Sequence, residues 1–141
     1  MLIAAGATRV SVVLTPGMSA LDFRISSAHL ADDAYILSIG GEADLFTAPQ
    51  LEEGLSELTA AGARRIVVDL AGAAFIDSTV LGVLLKTLTR LDAGGGGLVL
   101  VSNDRRILKV FEVTGLARVF RIEPTLTKAV AAVIGDQAVL Q

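Results

Sequence analysis

The sequence has no cysteine, no tryptophan and one histidine, His29. Without thiols there is no disulfide framework, no thiolate metal site and no cysteine nucleophile. One imidazole cannot build a histidine-rich metal centre. A Ser-His-Asp triad would have to recruit His29 from a polar, flexible stretch just before a turn, where a plain surface role is the simpler reading. No apolar run reaches the roughly 18 to 20 residues that a membrane-spanning helix needs. Residues 1–14 are apolar but contain Arg9, with no basic segment ahead of a clean apolar core, so they do not read as a secretory signal. The expectation is a cytoplasmic protein with no membrane segment.

A basic excess is also lacking. Twelve Lys and Arg stand against fifteen Asp and Glu, a net charge of -3. Nothing here pairs with a phosphate backbone, so direct binding to nucleic acid is not expected. Arg64-Arg65 and Arg105-Arg106 read as solvated turn residues. Three lysines against nine arginines, with many alanines and glycines, suggest a GC-rich bacterial genome.

What is present is a core. Hydrophobic residues make up 52% of 141 residues, enough for one domain. A chain of this length buries about two-thirds of its unfolded surface. Residues 1–20 read as a flexible N-terminal extension, with a short strand at 9–14 as the alternative and Met18 as a second possible start. Residues 21–135 form the domain and 136–141 a C-terminal tail.

Within the domain, 21–25 alternates apolar and polar like a half-buried strand. Asp32-Asp33 marks a turn into a second strand at 34–39, which Gly40-Gly41 ends. Residues 42–46 are a loop. Thr47 caps a helix with Pro49 in its first turn, where a missing N–H costs nothing. Leu51, Leu55 and Leu58 repeat at helical spacing until Gly62. The β-branched run Ile66-Val67-Val68 predicts a strand covered on both faces over 65–70, followed by a loop over 71–76.

Asp77 or Ser78 then caps a helix whose Leu81, Leu84, Leu85, Leu88 and Leu91 form one stripe. Gly94 to Gly97 break it. They follow a helix and precede a strand, the reverse of a phosphate loop. A strand at 98–101, a helix from Asn103 or Asp104 to Gly115, a strand at 119–122 and a helix from Pro124 through Val133 complete the chain. Strands alternating with helices need right-handed crossovers. The fold class is therefore α/β, with a mixed, mostly parallel sheet and helices packed against it.

The informative stretch is residues 67–85, a buried strand leading to a helix whose first turn holds Asp77, Ser78 and Thr79. A helix N-terminus has unpaired N–H groups and partial positive charge, so capping alone accounts for Asp and Ser there. On a helical wheel Gly82, Lys86 and Arg90 point away from the leucine stripe, Val83 lies outside it and Val80 at its margin. This low, weakly charged face beside Ser78 suits a docking partner.

The segment Phe75-Ile76-Asp77-Ser78-Thr79-Val80-Leu81-Gly82 resembles the signature of STAS-domain anti-sigma factor antagonists. Gly41-Glu42-Ala43-Asp44 resembles that family's Gly-Glu-hydrophobic-Asp loop, and Phe111-Glu112-Val113-Thr114-Gly115-Leu116 its Phe-x-hydrophobic-Thr-Gly-Leu segment. Val80 stands where the family usually has glycine, and Ala43 where a larger aliphatic residue is common. The resemblance implies a single STAS-type domain that is not an enzyme and has no catalytic residue, cofactor or metal. It implies phosphorylation of Ser78, with Thr79 as second choice. The implied partners are a serine-kinase anti-sigma factor of the GHKL type and a PP2C-type phosphatase. The unphosphorylated form binds the kinase and frees a sigma factor. The partner surface comprises Asp44, Asp77, Ser78, Thr79, Val80, Gly82, Val83 and Lys86. STAS scaffolds of stressosome type, or transporter-associated STAS subunits without a phospho-switch, are the alternative. A weaker enzymatic reading gathers Asp44, Asp69 and Asp77 around a metal.

Overall fold

The computed structural model describes residues 8–11 and 22–140. Its six strands lie in sequence order in one sheet. Strand β1 (Thr8–Ser11), β2 (Arg24–Ala31) and β3 (Ala34–Ala43) are antiparallel neighbours; β4 (Arg65–Ile76), β5 (Gly97–Val101) and β6 (Arg121–Glu123) add on in parallel. Helices α1 (Ala48–Ala60), α2 (Ser78–Ala93) and α3 (Arg105–Val113) are the three crossovers, and α4 (Leu126–Leu140) follows β6. The architecture is the expected α/β one.

The two-faced covering follows from β4. Ile66, Val68 and Leu70 point to one side and join the leucines of α1 and α2 with Ile107 and Phe111 of α3. Val67 points to the other side and meets Val99, Val101, Ala129 and Val133 of β5 and α4. Alternate residues of a strand face opposite ways, so a strand buried on both faces must be apolar throughout.

Several boundaries differ from expectation. The first hairpin strand begins at Arg24 and includes Ser26, Ser27 and His29. These residues lack apolar alternation, but backbone pairing holds them: Ser26 and Ser27 pair with both β1 and β3, and His29 pairs with Tyr35 of β3. His29 is therefore not in a flexible stretch; its Nε2 lies 2.7 Å from the Asp32 carbonyl oxygen and its ring packs on Tyr35. Asp32 closes the hairpin at φ 49, a left-handed conformation that a short polar side chain tolerates. Of residues 1–20, Thr8–Ser11 pair with β2; the other positions of the proposed extension and of the 9–14 strand lie outside the described residues.

The glycines at 40 and 41 do not end β3, and 71–76 is not a loop. Gly40 pairs with Gly72, Gly41 with Ala73, Glu42 with Phe75 and Ala43 with Ile76, with register shifts on either side of the glycine pair. A Cβ on Gly72 would stand 3.3 Å from the Ile39 carbonyl oxygen, so the strands run close together here. This small-residue ladder carries β3 and β4 past the rest of the sheet and delivers residue 77 to its outer end.

The last strand starts two residues later than the expected 119–122 and ends at Glu123. Gly115 ends α3 at φ 79, and a short 3-10 turn at Leu116–Arg118 intervenes. Phe120 is thereby turned inward, edge-on to Phe111 at 5.6 Å. Helix α4 runs to Leu140, through residues read as tail.

Candidate functional site

The site grows from the outer end of β3 and β4. Asp77 sits at the N-cap of α2 with extended backbone, and its Oδ1 accepts the Val80 N–H at 3.1 Å. Its Oδ2 accepts the Leu45 N–H at 2.9 Å, and its own N–H donates to the Ala43 carbonyl at 3.2 Å. One aspartate thus ties the loop after β3 to the first turn of the helix after β4. Ser78, the first helical residue, is exposed, and its hydroxyl makes no hydrogen bond among the described residues. Thr79 beside it is half-buried.

The loop has its own brace. Asp44 Oδ1 accepts the N–H groups of Phe46 at 2.9 Å and Thr47 at 3.2 Å, while the Asp44 N–H donates to Thr47 Oγ1 at 2.8 Å. Thr47 is the residue before α1, as expected, but its side chain makes no cap bond; the hydroxyl is spent on Asp44. An Asx-type turn competing with a cap is a common outcome for such residues. Between the two braces Leu45 is 60% exposed and Phe46 83% exposed. Phe75, two residues before Asp77, is exposed too. Two adjacent apolar residues held outward by polar neighbours are costly in water unless something covers them.

The structure brings Asp44, Asp77, Ser78 and Thr79 together. It does not place Val80 on that surface. Val80 is fully buried, because the Asp77 cap aims its position inward at the start of the leucine stripe. Its side chain is core, where the wheel put it at the margin. Gly82 is exposed, and Val83 is half-buried against the core. Lys86 is exposed and forms an ion pair with Glu52 of α1. That hydrogen bond, with the attraction of the ammonium, holds the Glu52 carboxyl below its ordinary value. Asp69 does not join Asp44 and Asp77. Its Oδ1 accepts the Ala71 N–H at 2.9 Å, and no metal-holding group of acidic or histidine side chains occurs among the described residues.

Leu45, Phe46 and Phe75 were missed by sequence reasoning. Periodicity cannot flag an apolar pair in a loop. The usable signal was Leu-Phe lodged between Asp44 and Thr47, two residues that favour turns.

The chain is 38% identical to the anti-sigma-B factor antagonist of Staphylococcus epidermidis over 85 residues, which is 60% of this chain and 79% of that protein. The Staphylococcus aureus anti-sigma-B factor antagonist is 39% identical over the same length and shares. The crystal structure of an anti-sigma factor antagonist from Mycobacterium paratuberculosis superposes with a TM-score of 0.73 at 28% identity, covering 82% of this chain and 97% of that one. No helix among the described residues is long and apolar enough to cross a membrane. The sequence model of the STAS domain matches residues 26–129, from β2 into α4 and across the whole Asp44–Asp77–Ser78 corner, and the chain belongs to the STAS domain family.

Proposed function

We propose that this chain is a cytoplasmic anti-sigma factor antagonist, switched off by phosphorylation of Ser78. The observation that carries the reading is an exposed, unengaged hydroxyl on the first residue of α2, beside an outward-facing Leu45-Phe46 tip. Unphosphorylated, the protein docks this corner on a GHKL-type serine-kinase anti-sigma factor and releases a sigma factor. The kinase transfers the γ-phosphoryl group of ATP to Ser78 Oγ; the O–P ester forms, ADP leaves and the hydroxyl proton passes to a base or solvent. A PP2C-type phosphatase hydrolyses the ester. Thr79, half-buried, is the less accessible acceptor. Asp44, Asp77, Ser78, Gly82, Val83 and Lys86 line the docking face, together with Leu45 and Phe46; Val80 supports it from beneath.

The experiment is intact-mass analysis and peptide mapping after incubation with ATP and GHKL-type anti-sigma kinases from the same genome. One added phosphoryl group on Ser78, carrying about -1.5 to -2 charge, is the expected result. A folded protein that no such kinase modifies overturns the phospho-switch.

The apolar tip makes a second prediction. An aromatic anchor entering a partner pocket is typically worth about 2 kcal/mol or more when truncated to alanine. Phe46→Ala should weaken kinase binding about thirtyfold by calorimetry. Its melting temperature should stay put, because the ring is already in water. Unchanged affinity would remove Phe46 from the interface.

A further inference from the structure

Asp77 is doing two jobs with one carboxylate. Each oxygen has its own amide: Oδ1 the Val80 N–H in the first turn of α2, Oδ2 the Leu45 N–H in the loop after β3. Leu45 lies 32 positions before Asp77 in the chain. The Asp44 brace holds the loop's internal shape, but its side chain reaches only Phe46 and Thr47, which belong to the same loop. The described bonds across the gap from the loop's tip to α2 therefore converge on Asp77.

We propose that Asp77 is a positioning residue, a latch that holds the Leu45-Phe46 tip in register with Ser78 so that one partner reads both. The inference rests on the docking surface proposed above and deepens it. Asp44 shapes the tip, Asp77 aims it, and Ser78 beside the latch carries the modification.

The chemistry requires an aspartate. A carboxylate presents acceptors on both sides, whereas a carboxamide presents one acceptor and one donor. Asn caps a helix about as well as Asp, so in Asp77→Asn the carbonyl oxygen stays with Val80. The amide NH2 then faces the Leu45 N–H, donor against donor. Glutamate has the two acceptors but one methylene too many for the N-cap geometry, so Asp77→Glu does not restore the latch.

The test is amide hydrogen exchange on the full chain, followed residue by residue by NMR. Losing a charge-assisted bond costs about 1.5 kcal/mol or more, so Asp77→Asn should speed exchange at Leu45 about tenfold. Val80 and the amides of β4 should keep their protection. Unchanged exchange at Leu45, or acceleration confined to Val80, overturns the latch. A second measurement reads the consequence. Against the kinase that phosphorylates wild-type Ser78, Asp77→Asn should bind about tenfold more weakly, with a melting temperature lower by only the few degrees that one lost hydrogen bond accounts for. Equal affinity despite a faster Leu45 amide overturns the positioning role. The exchange experiment needs no partner, so it still decides the latch if no kinase acts on the protein.

Discussion

Phosphorylated protein should bind its anti-sigma kinase about a hundredfold more weakly than the unmodified form, and Ser78→Asp about tenfold more weakly. Ser78 is exposed on the first residue of α2, so a phosphate there meets the favourable end of the helix dipole, worth about 0.3 to 1 kcal/mol. The folded domain therefore tolerates the new charge, and its melting temperature should not fall. The effect lands on binding. A partner covering Leu45, Phe46 and Ser78 has to strip water from a group carrying about -1.5 to -2 charge. The carboxylate of Asp77 is adjacent, and that of Asp44 lies across the loop that Asp77 fastens. Repulsion and desolvation totalling about 3 kcal/mol correspond to that hundredfold. Aspartate brings one charge on a shorter arm, hence the smaller effect. Ser78→Ala should bind like wild type and resist inactivation by ATP, because the hydroxyl has no partner to lose among the described residues. Calorimetric titration of the four proteins into the kinase checks the series. Wild-type affinity in the phosphorylated protein would sink the switch.

Phe111→Ala should destabilise the domain by about 3 to 5 kcal/mol. Phe111 is 1% exposed and stands edge-on to Phe120, joining α3 to the chain that leads into β6. Removing the ring loses its transfer free energy and leaves a cavity in the main core beside Phe120. A domain has only about 5 to 15 kcal/mol of stability to lose. Urea unfolding should show the midpoint falling steeply with little change in slope. A loss below about 1 kcal/mol would mean that this part of the core is not packed as described. The contrast with Phe46 is the useful control. One phenylalanine is all stability and the other all surface, although composition cannot tell them apart.

That contrast explains the third family-like segment, residues 111–116. Its chemistry is structural. Phe111 fills the core, Thr114 Oγ1 donates to the Val110 carbonyl at 2.8 Å, and Gly115 takes φ 79. The other two segments, 41–44 and 75–82, converge on one corner. Three short motifs equal on the page thus divide into one that ends a helix and two that build a site.

Read alone, the chain determined its class and the place in the fold of Ser78, the proposed switch residue. Ile66-Val67-Val68 had to be a doubly covered strand, the leucine ladder of α2 had to be a helix, and Asp77-Ser78 had to be its start, because those periods and caps are local properties. The α/β order and the location of Ser78 followed. Tertiary structure decided the rest. Whether Ala71 to Phe75 is loop or strand depends on what lies alongside, and only pairing with Gly40 to Glu42 makes it strand. Whether Val80 faces a partner or the core depends on the angle at which the Asp77 cap starts the helix, and that buries it. The Leu45-Phe46 tip is outward only because two aspartates hold its amides, one of them 32 residues away. Contacts of that span leave no period in a sequence, since each depends on a partner whose place is set only when the sheet closes.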